Sequence, residues 1–195
     1  MSEPRRCWSS ADPAYVEYHD REWGRPVTDE RGLYERLCLE GFQSGLSWLT
    51  ILRKRPAFRA AFAAFDPETV ARFGERDVKR LLDDAGIVRH RGKIEAAIAN
   101  ARATLELREA GTPLPELVWS HRPAGDLAPR SPADWQATTP ESAALSKQLR
   151  AAGFRFVGPT TVYATMQACG VVNDHLADCT VRAEVEEEIA SSTIA

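Results

Sequence analysis

Apolar positions recur along this chain at three- and four-residue offsets, and the breaks between the striped stretches carry helix-starting or helix-ending residues. The pattern is helical. Asp12 before Pro13 reads as an N-cap and first-turn proline, which puts Tyr15, Tyr18 and His19 along one face of a first helix. Asp29 caps a second, running to Gly41 with Leu33, Tyr34, Leu37 and Cys38 as its stripe. A third, Ser44 to Arg53, carries Leu46, Trp48, Leu49, Ile51 and Leu52 and is read as stopping before Pro56. Pro56 to Phe65 predicts a short helix, and Asp66, Pro67 and Glu68 open another that reaches Phe73. No stretch alternates for long with strand period, so the expected fold is all-α.

Leu81 to Ala101, LLDDAGIVRHRGKIEAAIANA, predicts two helices joined by a tight turn. Asp77 opens the first, and Gly86 is expected to close it in the left-handed conformation that glycine takes without steric cost. The second runs from about Arg91 to Ala110 and stops at Gly111-Thr112-Pro113. Arg89, His90, Arg91 and Lys93 surround Gly92 at its start, where free N–H groups and the helix dipole favour an anion such as a backbone phosphate. An ordinary αα-hairpin with a solvated basic turn has the same spacing, and spacing alone does not choose between them.

Six prolines between Pro113 and Pro140 make that region the loosest, with Trp119 and Trp135 expected to anchor it. Helices resume from Ser142 to Ala152 and from Gly158-Pro159 through Val162, Met166 and Cys169 to Gly170.

With 195 residues, 44% hydrophobic and 27% charged, the chain is long enough to bury one proper core. It has no apolar run near the roughly 18 residues of a membrane span, and MSEPRRCWSS lacks the apolar centre of a signal peptide. A cytoplasmic location is expected. The net charge of −3 lies wholly in the stretch from Thr180 onward, where Arg182 faces Glu184, Glu186, Glu187 and Glu188. The body is therefore neutral, which leaves room for a local basic turn. The division expected is a single domain over residues 1–179 and a disordered acidic tail over 180–195.

Two kinds of chemistry stand out. Cys38 and Cys169 fall inside helices and read as buried small residues, but Cys7 has His19 downstream and Cys179 has His175 four residues before it. Such a set suits tetrahedral zinc, although the Cys7–His19 spacing is not that of a standard finger and leaves the matter open. Glu40 sits among apolar residues, where an unpaired carboxylate costs several kcal/mol, so it needs a partner or a surface position.

Four runs, YHDREWG (Tyr18 to Gly24), LEGFQSGLSWLTIL (Leu39 to Leu52), DAGIVRHRGKI (Asp84 to Ile94) and GFRFVGPTTVYATMQACGVVNDH (Gly153 to His175), resemble the DNA-3-methyladenine glycosylase I family. The likeness extends from Cys7 to Cys179. It implies a helix-hairpin-helix base-excision enzyme, monomeric, acting on double-stranded alkylated DNA, with the chain ends tied by a structural zinc on Cys7, His19, His175 and Cys179. It implies a base pocket with Glu40 as the catalytic carboxylate and Tyr18 and Trp48 as base-binding aromatics, with Tyr15, Trp23 and Trp8 beside them. The hairpin turn itself, at Gly86, Val88, Arg89, Arg91, Gly92 and Lys93, is expected to grip the DNA backbone without reading its sequence.

3-Methyladenine is cationic while attached to its sugar, so an aromatic face and a carboxylate suit it, and it leaves without needing a proton. Many helix-hairpin-helix glycosylases carry an aspartate past the hairpin, but Ile94 to Ser120 offers only glutamates. The enzyme implied is monofunctional, with no lysine nucleophile and no lyase step. Cys7 and Trp8 are adjacent where the family has C-x-W, which loosens the placing of Trp8. Two other classes compete: a noncatalytic DNA-binding module with zinc, for which Glu40 among aromatics has no use, and a zinc hydrolase, which needs an open metal position.

Overall fold

A computed structural model describes residues 5–125 and 128–193, and among these every regular element is helical. The α-helices, in chain order, are α1 (Pro13–Arg21), α2 (Glu30–Gln43), α3 (Trp48–Ala61), α4 (Pro67–Val70), α5 (Glu75–Asp83), α6 (Arg91–Glu109), α7 (Leu114–Trp119), α8 (Pro140–Ala151), α9 (Pro159–Ala168) and α10 (Arg182–Ser191), with short 3-10 turns at Ala63–Phe65 and Pro132–Asp134.

The caps form as their residue types require. Asp12, Asp29 and Ser47 each accept from backbone N–H groups in the first turn of α1, α2 and α3. Helix α2 is the hub, since every residue from Leu33 to Phe42 is buried and α3, α6, α7 and α9 pack around it. A central helix surrounded in this way must satisfy its own polar groups. Glu35 accepts from Arg59 at 2.8 Å, Tyr34 donates to the Ala97 carbonyl at 2.9 Å, and Arg36 donates to Glu22 at 3.0 Å. Trp119 and Trp135 do anchor the proline-rich region, donating through Nε1 to the carbonyls of Val27 and Asp174, both at 2.9 Å.

Three expectations need correction. Helix α3 runs through Pro56 to Ala61 instead of stopping before it. A proline inside a helix forfeits one backbone bond, and here burial of Leu52 and Phe58 on either side holds the helix together. What ends it is a run of left-handed residues, Ala63, Ala64 and Phe65, with φ of 51°, 52° and 56°.

Gly86 is not a left-handed C′ residue. Helix α5 stops at Asp83, and the extended Asp84 accepts from the Gly86 N–H at 2.7 Å. A Cβ on Gly86 would lie 2.9 Å from the Cβ of Ala57, so glycine is needed there for close approach to α3.

The acidic stretch after Thr180 forms α10, with Val185 and Ile189 buried at 0% and 2% exposure. Those two residues lie four apart on one face, while Glu184 pairs with Arg25 at 3.1 Å and Glu188 pairs with the same arginine. The charges that suggested disorder are one side of an amphipathic helix.

Candidate active site and metal centre

Helix α1 presents two faces to two different sites. Tyr18 and Tyr15 stack on one another with ring centroids 6.4 Å apart, and Tyr18 meets Trp48 of α3 at 5.3 Å. Tyr18 and Trp48 are 3% and 8% exposed, and the Trp48 indole N–H is buried with no hydrogen-bond partner among the described residues. A buried donor without a partner is costly, and a base edge is one group that would satisfy it.

Glu40 stands on α2, buried, and lines a recess of about 330 Å³ together with Leu46, Thr160 and Thr161, while Tyr15, Tyr18 and Trp48 lie outside that lining. Burial pushes its carboxyl up to about 8, and Arg36, one turn earlier, opposes this. The Glu40 charge in turn reaches both tyrosines. Burial raises the phenols of both; Glu40 adds to this at Tyr15, and at Tyr18 Arg36 opposes burial ahead of the smaller push from Glu40. Arg36 lies 5.9 Å from the centre of the Tyr18 ring and is tied below by Glu22, which also accepts from Arg55 at 2.7 Å. Burial alone would raise the Glu22 carboxyl, but Arg55 and Arg36 pull it down to about 2. A charged network therefore stands behind Tyr18.

The other face of α1 carries His19. Its Nε2, Nδ1 of His175 and the sulfurs of Cys7 and Cys179 all lie within 4.8 Å of one another, and all four residues are buried. The sulfur of Cys7 is 3.3 Å from Nδ1 of His175, and that of Cys179 is 3.5 Å from it and 3.6 Å from Nε2 of His19. Ligand atoms on a tetrahedral zinc stand about 3.3–3.8 Å apart, so the donor set and its spacing fit that ion. Each histidine has its other nitrogen fixed: Nδ1 of His19 donates to Asp20 at 2.7 Å, and Nε2 of His175 donates to the Trp23 carbonyl at 2.9 Å. Arg6 in turn holds Asp20 at 2.8 Å. The hydrogen bond between the two cysteines lowers the Cys179 thiol and raises that of Cys7, so the two sulfurs share a proton. Gly24, at φ +80°, would bring a Cβ within 2.9 Å of Nε2 of His175.

The two sites share a wall of rings. Trp8 packs on Tyr15 at 5.2 Å, on His19 at 4.7 Å and on Trp23 at 4.9 Å, while Trp23 packs on His175 at 4.6 Å. Trp23 thus faces the histidines, and Trp8 lies between them and Tyr15.

The α5–α6 turn divides the residues proposed from it. Arg89 is exposed and makes no ion pair among the described residues, whereas Arg91 pairs with Glu75 at 3.0 Å and Glu95 at 3.2 Å. Lys93 points inward, donating to the carbonyls of Phe42 at 2.9 Å and Ser44 at 2.5 Å, where it caps the end of α2. Lys54 holds the turn from below through the carbonyls of Ala85 and Gly86 at 3.0 and 3.2 Å. Val88 and Gly92 are half-buried in the turn.

The family described as Methyladenine glycosylase matches residues 8–183. This chain belongs to that family. The methyladenine glycosylase chain is 52% identical over 178 residues to DNA-3-methyladenine glycosylase 1 of Escherichia coli (strain K12), covering 89% of this chain and 95% of the relative. It is 43% identical over 181 residues to DNA-3-methyladenine glycosylase of Haemophilus influenzae, covering 89% and 96%. A crystal structure of a tyrosine-to-phenylalanine variant of 3-methyladenine DNA glycosylase I in complex with 3-methyladenine superposes with a TM-score of 0.87 at 36% identity, covering 93% of this chain and 98% of that one.

Several residues of this methyladenine glycosylase were given no role at the site from the sequence, although Asp20 and Glu22 fall in its stretch of chemistry-bearing groups from Cys7 to Gly24. Asp20 and Arg6 had a usable signal, a carboxylate beside a ligand-type histidine. Arg36 had one too, standing four residues before Glu40 on the same buried helix. Glu22 and Arg55 had none, because their meeting depends on how α1 and α3 cross.

Proposed function

We propose that this protein is a monofunctional DNA glycosylase of base-excision repair that removes 3-methyladenine from alkylated duplex DNA. The observation that carries the reading is a buried carboxylate, Glu40, lining a recess, with Tyr18 of α1 packed on Tyr15 and on Trp48 of α3.

A base inside a duplex is out of reach, so the nucleotide must be turned out of the stack. The hairpin of α5 and α6 holds the backbone, with Arg89, which makes no ion pair among the described residues, as a cation and the N–H groups at the start of α6 as phosphate donors. Arg91 is shared with two glutamates and Lys93 supports the loop after α2 from inside, so neither adds a full phosphate contact. Leu46, exposed and lining the recess, would enter the space the nucleotide leaves.

In the pocket the cationic base lies against the faces of Trp48 and Tyr18, and Glu40 accepts hydrogen bonds from its edge. The bond between C1′ and the base nitrogen then breaks, its electron pair leaving with the base, which departs neutral. Positive charge moves to the sugar, where Glu40 still opposes it, and water adds its oxygen to C1′ and releases a proton to solvent. No group in this scheme protonates the base or forms a bond to the sugar, so the product is an abasic site in an intact strand.

Cys7, His19, His175 and Cys179 would hold a zinc ion that supplies no chemistry, because four protein ligands leave it no open position. Its effect is structural: it ties the segment before α1 to the segment before α10, and so fixes α1 and its tyrosines.

The test is product analysis on methylated duplex DNA. Free 3-methyladenine with abasic but uncut strands supports the reading. Strand cleavage by the protein would replace it with a lyase, and binding without release would favour the noncatalytic module.

A further inference from the structure

Leu46 and Phe156 are the two large apolar residues with conspicuous exposure among the described residues, at 43% and 42%. Leu46 rims the recess of Glu40. Phe156 belongs to the loop between α8 and α9, and its backbone is left-handed at φ 56°, a conformation that a bulky side chain rarely adopts.

The loop is built to hold that conformation. The side chain of Asn100, 2% exposed on α6, clamps the preceding residue twice, accepting from the Arg155 N–H at 2.7 Å and donating to the Arg155 carbonyl at 3.2 Å. The next residue is held by Ser146, which donates to the Val157 carbonyl at 2.6 Å. Phe154 and Val157 are buried to either side. The chain therefore fixes two flanking positions in the core and leaves a phenyl ring in water between them. Folding gains nothing from this, since a residue that turned Phe156 inward, or a glycine, would relieve it.

Its place in the molecule points to a use. The Cβ of Phe156 lies over Gly41, the residue after Glu40, at 3.3 Å from where a glycine-to-alanine Cβ would stand. Its ring edges that of His90 in the hairpin turn, with centroids 6.3 Å apart. Lys93, inside the same corner, holds the Ser44 carbonyl two residues before Leu46. Phe156 thus lies beside the turn proposed to grip the backbone and against α2 one residue from Glu40, outside the lining of the recess itself. Exposed apolar side chains at such a position unstack bases by entering between them.

We infer that Phe156 is a duplex-wedging residue, an aromatic side chain that stacks on the bases beside the nucleotide being turned out. The inference rests on the glycosylase reading above. Its partner is the base stack of double-stranded DNA, and it acts on the duplex, not on the excised base.

Phe156→Ala and Phe156→Gly test it, with release of 3-methyladenine from methylated duplex DNA, affinity for free 3-methyladenine, and thermal midpoint measured for each. The expected result is a loss of tenfold or more in kcat/KM on the duplex with unchanged free-base affinity. Phe156→Gly should also hold or raise the midpoint, by about 2–4 °C, because glycine accepts the left-handed backbone. Release at the parent rate by both variants would overturn the inference. So would a matching fall in free-base affinity, which would make Phe156 part of the pocket wall. Failure of the parent protein to release any base would instead strike the glycosylase reading itself.

Discussion

Arg36 precedes Glu40 by one turn of the buried helix α2, and its guanidinium is held from the other side by Glu22 at 3.0 Å. This makes Arg36 the group that opposes burial in setting the charge of Glu40. If the carboxylate is the form that holds a cationic base, release rises with pH through about 8, where Glu40 titrates. Tyr15 and Tyr18 stay neutral across that range, being raised above the ordinary phenol value. Arg36→Met should move the acid limb of the kcat/KM profile to higher pH, and Arg36→Lys should recover most of the shift. A limb that stays in place in Arg36→Met would contradict the role.

The same carboxyl makes stability depend on pH. Its folded value of about 8 lies above the ordinary 4.5, so the stabilisation it allows is complete below about 4.5 and is lost as pH rises through 8. Glu40→Gln removes that slope. Denaturant unfolding should show the variant more stable than the parent at pH 9, by on the order of a few kcal/mol, and close to it at pH 4.5. Parallel stability curves for the two proteins would show that the group is solvated.

Metal analysis should find one zinc per chain. Asp20 holds Nδ1 of His19 at 2.7 Å, so Asp20→Ala should weaken zinc about 10–100-fold in competition with a chelator, while leaving all four ligands in place. Equal zinc affinity in variant and parent would show that Asp20 does not orient the ligand.

Helix α10 should matter to stability in spite of its charge. Ile189→Ala should cost about 2–5 kcal/mol in denaturant unfolding, since the side chain is 2% exposed. Removal of the chain from Val181 onward should also loosen the metal site, because Arg182 donates to the Asn173 carbonyl at 2.8 Å and holds the segment that carries His175. A truncated chain of parental stability would restore the disordered tail.

These cases show what could be seen in the sequence and what could not. Local signals read well: Asp12, Asp29 and Gly170 act as the caps or terminators their types suggest, and the helical period gave the all-α class. Gly86 misled because a glycine after a helix has two uses, and only the distance to Ala57 reveals which one applies. Pro56 misled because a buried helix tolerates a missing bond that an isolated one would not. The stretch after Thr180 misled because four glutamates dominate its composition while two residues, Val185 and Ile189, decide its packing. Glu40, Tyr18 and Trp48 are proposed for the pocket on family motifs, whereas the inward turn of Lys93 and the Glu22–Arg36–Arg55 network depend on helix crossings that no local pattern encodes.

The most direct measurement is release of 3-methyladenine from methylated duplex DNA by the parent protein, Glu40→Ala and Trp48→Ala, with duplex binding measured alongside. The parent should release the base, and both variants should lose release by a hundredfold or more, on the order of 3 kcal/mol of transition-state stabilisation, while still binding the duplex. Release at the parental rate by both variants would contradict the assignment of the pocket to Glu40 and Trp48.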